Sequence, residues 1–69
     1  MQIKTTYTGC PYLTAGKIYK VLPNSVIIRE NNTMVAIIDD DGVEILLVLE
    51  NSAHLDGNSW EVVENNNAL

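Results

Sequence analysis

Turn-forming residues interrupt this chain at short intervals, and that spacing limits what it can fold into. Gly9-Cys10-Pro11, Gly16, Pro23-Asn24, Asn31-Asn32, Asp41-Gly42 and the polar stretch NSAHLDGNS over residues 51–59 separate runs rich in β-branched, aliphatic and aromatic residues. A helix needs about 10 to 12 residues of 3.6-residue period, and no run between these punctuation points supplies that pattern. The runs at 2–8, 17–22, 25–30, 33–39, 43–50 and 60–63 have strand length and strand composition. The expectation is an all-β chain of five to six antiparallel strands, with a helical turn admissible only between residues 50 and 60.

Size closes the choice of architecture. With 69 residues the chain makes one small domain around one core, because a chain of this length buries only about 60% of the surface its unfolded form exposes. Hydrophobic residues at 46% against charged residues at 19% put it among folding chains rather than disordered ones. Among small all-β designs, a strongly bent antiparallel barrel of the SH3-like type encloses a core without long open edges. The expected domain covers residues 1–63, and ENNNAL, 64–69, reads as a frayed tail. The single cysteine, Cys10, has no partner for an internal disulfide and fits a reducing cytosol. The longest aliphatic run, Ile45 to Leu49, is far short of the ~20 residues of a membrane helix. A net charge of −5 repels phosphate backbones and anionic lipid, so neither nucleic acid nor membrane is an expected partner.

Residues 37–49, IIDDDGVEILLVL, set an acidic cluster and a glycine between two greasy runs. Asp41-Gly42 is the preferred pair for a two-residue type I′ hairpin turn. That turn fixes a register with Ile38 opposite Ile45, Ala36 opposite Leu47 and Met34 opposite Leu49 on a core face. The other face then carries Val35 with Val48 and Ile37 with Leu46, framed by Thr33 with Glu50 and by Asp39 with Glu44. An outer strand face normally alternates with polar residues, so four aliphatics there call for cover, either from the chain's own segments or from a protein partner. The candidate partner-binding set is Val35, Ile37, Leu46 and Val48 with an acidic rim of Asp39, Asp40, Asp41, Glu44 and Glu50.

Other constellations carry less chemistry. An EF-hand loop with its glycine at Gly42 would need an oxygen ligand at Ile37 and a bidentate glutamate at Val48, which excludes that motif. A looser cation site between Asp39 and Glu44 competes with a solvated hairpin tip. Cys10 and His54 are the one nucleophile and base combination, without a recognisable third group, and no catalysis and no cofactor is expected. Cys10 reads as a packing residue, His54 as a solvated loop residue, and Trp60 as the side chain that closes one end of the core. Tyr7, Tyr12 and Tyr19 read as core edges, with a groove for proline-rich peptide as the competing reading.

The run from Tyr12 to Leu22, YLTAGKIYKVL, followed by Ile38-Asp39-Asp40-Asp41-Gly42 and a closing Trp60-Glu61-Val62-Val63, resembles the small SH3-like barrel proteins of phages and prophages. The likeness spans residues 12 to 63 and departs at Ile45 to Leu49, where that layout has more polar residues. It implies a non-catalytic accessory role, commonly interference with a host protein in the bacterial cytosol, and no catalytic residue to carry over. Two functions from different classes follow as expectations. One is a protein-interaction module that binds a host protein or a second copy of itself. The other is an acidic mimic of nucleic acid that occupies a host enzyme's binding groove by charge.

Overall fold

The computed structural model describes residues 1–64 of the chain. Six strands form: β1 Gln2–Lys4, β2 Tyr19–Lys20, β3 Ile27–Arg29, β4 Asn32–Ile38, β5 Glu44–Val48 and β6 Glu61–Glu64, with a single 3-10 turn at Ala53–Leu55 between β5 and β6. Each falls on one of the expected runs, and the helical turn lies in the segment that admitted one. β1 and β2 are shorter than their runs, because Thr5, Tyr7 and Lys17 spend backbone groups on loops rather than on ladders. The Gly16 amide donates to the Thr5 carbonyl at 2.8 Å and the Tyr7 amide to the Thr5 hydroxyl at 3.0 Å. The expected tail over residues 64–69 lies outside the described residues, except that the backbone of Glu64 still belongs to β6.

The strands make two antiparallel three-stranded sheets, in the orders β2-β1-β6 and β3-β4-β5. Two crossing points tie the sheets together. Past β2, the Val21 amide bonds to the Met1 carbonyl at 2.9 Å in the first sheet, and the next amide, Leu22, bonds to the Ala36 carbonyl of β4 at 2.9 Å in the second. Before β6, the Trp60 amide bonds to the Leu49 carbonyl at 2.7 Å, and the Leu49 amide bonds to Thr33 at 2.9 Å. The chain thus changes sheet by bending one continuous segment at each corner.

The core lies between the sheets. Ile3, Val35, Ile37 and Leu55 are fully buried, with Leu13, Tyr19, Leu47, Leu49, Cys10 and Trp60 around them. Trp60 closes one end edge-to-face on Tyr19, 6.0 Å between ring centroids at 89°, and its indole N–H donates to the buried Ser52 hydroxyl at 3.3 Å. This is the tryptophan role the sequence indicates, and it places Tyr19 in the core, with Tyr7 and Tyr12 packed against it from the side. Cys10 is a buried free thiol.

Two expectations about register are corrected. The β3–β4 turn is centred on Glu30 and Asn31, with Arg29 opposite Asn32, one residue earlier than an Asn31-Asn32 turn, and Glu30 takes the left-handed conformation at φ 44. The β4–β5 hairpin pairs Ile38 with Glu44, Ile37 with Ile45, Ala36 with Leu46, Val35 with Leu47 and Met34 with Val48. That is one residue off the register of a two-residue Asp41-Gly42 turn, and a slip of one residue exchanges the two faces of a strand.

Candidate functional site

The hairpin tip shows why the register differs. The Asp39 amide bonds to the Val43 carbonyl at 2.9 Å, and the Gly42 amide bonds back to the Asp39 carbonyl at 3.0 Å. Asp40, Asp41 and Gly42 therefore form a three-residue loop, a turn followed by a left-handed glycine at φ 79, the second most common hairpin solution. The Asp39 carboxylate selects it. Its Oδ1 accepts hydrogen bonds from the amides of Asp41 and Val43, both at 2.9 Å, which is the local bonding that places aspartate at the first position of a turn.

Asp40 is committed as well, through residues distant in sequence. Its carboxylate accepts from the Lys17 ammonium at 2.7 Å, the Thr14 hydroxyl at 2.5 Å and the Tyr19 hydroxyl at 2.8 Å. Its amide donates to the Tyr12 carbonyl at 3.0 Å. Lys17 first, then Thr14 and Tyr19, hold the Asp40 carboxyl at about 2, below its ordinary value of 3.8. The hydrogen bond to Asp40 in turn raises Lys17 above its usual value. The acidic cluster is thus mainly a fastener between the hairpin and the 12–19 loop. Of its three aspartates, Asp41 is the one left exposed without such bonds. The proposed Asp39 and Glu44 pair does not face across the ladder, because Glu44 is opposite Ile38. Among the described residues, no group of three or more His, Cys, Asp or Glu side chains is placed to hold a metal ion.

The four aliphatics expected on one outer face are divided. Val35 and Ile37 are 0% exposed and belong to the core, opposite Leu47 and Ile45. They cannot touch a partner in the folded chain. Leu46 is 52% exposed on the other face, with Val48 half-buried beside it. In their place the corrected register and the alternation of side chains bring Met34 and Ile38 of β4 to the outer face, with Ala36 on the same side of the strand but only 3% exposed. Ile27 of β3 joins them opposite Met34. The result is an aliphatic stripe across three strands, in which Ile27, Ile38 and Leu46 are each more than 40% exposed. Glu44 lies at one end of it and Arg29 with Asn32 at the other. Glu50 is exposed just beyond β5. Ile27, Met34 and Ile38 had no signal of their own in the sequence, since both faces of β4 are apolar and only the register separates them.

β5 is the edge strand of its sheet, and His54 guards part of that edge. The bonds from Leu49 to Thr33 and from Asp39 to Val43 fix the alternation, so that Glu44, Leu46 and Val48 point their backbone groups away from β4. The Leu46 carbonyl meets His54 Nε2 at 3.2 Å, and His54 Nδ1 meets the Tyr12 hydroxyl at 2.7 Å. A carbonyl can only accept, so Nε2 carries the hydrogen and Nδ1 accepts from tyrosine when the ring is neutral. His54 is therefore a half-buried bracing residue rather than a solvated one. Its partner is Tyr12, not Cys10, and the Tyr12 hydroxyl is pushed up first by burial and then by the Cys10 thiol. Among the described residues, no helix is long and apolar enough to cross a membrane. Comparison with known protein families, with curated proteins and with solved structures gives no match.

Proposed function

We propose that this chain is a non-catalytic protein-interaction module, an SH3-like barrel acting as a phage or prophage accessory protein in the cytosol of a bacterial host. The observation that carries this reading is the outer stripe of β3–β4–β5. Ile27, Ile38 and Leu46 stand exposed on one sheet face, and an exposed apolar patch with a polar frame is what a protein interface presents. The resemblance of residues 12 to 63 supports the barrel and the accessory role, and the two corners at Leu22 and Trp60, where one segment serves both sheets, agree with a bent barrel.

The acidic-decoy reading loses ground on the same geometry. Asp39 and Asp40 spend their carboxylates inside the chain, which leaves Asp41, Glu44 and Glu50 as the exposed part of the rim. A tagged pull-down from bacterial lysate, run with wild type and Leu46→Lys at low and at high salt, separates the two. An apolar-centred interface loses its captured protein with Leu46→Lys and keeps it in salt. A decoy shows the reverse, because its affinity is screened away.

A further inference from the structure

We infer that the outer face of β3–β4–β5 docks on the same face of a second copy of this chain. The inference rests on the reading of that face as a protein interface and narrows its occupant. A two-fold interface has to be complementary to itself, and the charges on this face meet that condition. Arg29, opposite Asn32, and Glu44, opposite Ile38, are both exposed and both lie on the outer face at opposite ends of the stripe. The β4 segment between Asn32 and Ile38 spans about 20 Å, so the two cannot meet within one chain. Neither is in an ion pair among the described residues. A two-fold axis lying between two stacked faces and crossing the strands obliquely carries each Arg29 end over the other copy's Glu44 end. Stacked sheets lie about 10 Å apart, within reach of two long charged side chains.

Burial supports the same occupant. The described chain exposes eight large hydrophobic side chains, and Ile27, Ile38 and Leu46 of these share this one face, with Met34 and Val48 half-buried between them. Stacking a second copy here adds apolar burial to a domain too small to bury much by itself. Glu30 and Glu50 lie near the Arg29 end and offset its charge in the sum, so the complementarity is local to the two side chains on the face. The net charge of −5 on each copy opposes association at long range, and at 0.15 M salt a Debye length of about 8 Å screens most of that repulsion.

The test is light scattering and sedimentation of the full chain at 0.15 M salt, with circular dichroism to confirm folding of each variant. A wild-type dimer is expected. Leu46→Lys should be a folded monomer, and Arg29→Glu and Glu44→Arg should each weaken association by about tenfold or more. The combined Arg29→Glu, Glu44→Arg variant should recover most of that loss, which only a contact between copies can produce. If Leu46→Lys does not fold, the charge variants decide alone. A dimer indifferent to all of these substitutions overturns the proposal, as does a dimer lost with Leu46→Lys in which the charge reversals have no effect. A wild-type monomer that captures a lysate protein only when Leu46 is intact overturns the second copy but leaves the interface standing. A wild-type monomer without Leu46-dependent capture removes both.

Discussion

The two faces of the β4–β5 hairpin are built from nearly the same residues and have opposite fates. Val35, Ile37 and Leu47 point inward and are at most 2% exposed, while Ile38 and Leu46, on neighbouring positions of the same strands, are 43% and 52% exposed. Residue type does not distinguish them. What does is the number of residues in the loop, because a change of one would turn every side chain of a strand over. In this hairpin the decision between core and surface is made at the tip, by a carboxylate bonding to two backbone amides.

The comparison is broken most strongly from the inside. Ile37→Ala should cost about 3 kcal/mol, the scale for emptying a fully buried aliphatic site, read as a shift in urea midpoint without a change in slope. Next comes the tip. Asp39→Ala leaves the amides of Asp41 and Val43 without their acceptor and should cost about 1 to 2 kcal/mol, with hydrogen exchange at those two amides rising before the rest of the hairpin. Gly42→Ala keeps the loop length but forces a side chain into the left-handed region, and about 1 kcal/mol in the same urea assay is expected. On the outer face, Leu46→Ala should change monomer stability by less than about 0.5 kcal/mol, measured under dilute conditions. A large effect there would mean that the face is covered within the chain.

Asp40 gives a sharper test that depends on pH. Its carboxyl ionises more readily in the folded chain than in the unfolded one, so the folded state gains from the charged form. That gain is fully present above the ordinary carboxylate value of 3.8 and disappears as pH falls through about 2. Thermal midpoints of wild type and Asp40→Asn should therefore differ at neutral pH and converge across that acid window. Parallel curves would show that Lys17, Thr14 and Tyr19 do not favour the ionised form.

Much of the fold is legible in the residues. Glycine, proline and asparagine separate the six strands without fixing their ends, Trp60 announces a closed end of the core, and NSAHLDGNS carries enough turn chemistry for its single 3-10 turn. The register is not legible from the features that usually set it. A two-residue turn and a three-residue loop both end on a left-handed glycine at Gly42, and with apolar residues on both faces of β4 the hydrophobic pattern does not choose between them. The signal was in Asp39, an aspartate in the first position of a turn. The fastening of Asp40 had no local signal, since its donors come from residues 14, 17 and 19. The candidate surface was accordingly half visible. Leu46 and Val48 belong to it, whereas Val35 and Ile37 exchange with Met34 and Ile38.

The pairing of β1 with β6 also sets the order in which the molecule can be completed. The hairpin of β4 and β5 closes on a loop of a few residues and can form as soon as both strands exist. β1 has its second neighbour, β6, at the far end of the described residues. Loop-closure entropy makes that contact late in refolding, and on a ribosome the strand must wait until β6 emerges. Through that interval the hairpin stands without its roof, and the inner face of Val35, Ile37 and Leu47 is as bare as the outer one. The chain is at its most adhesive just before β6 docks.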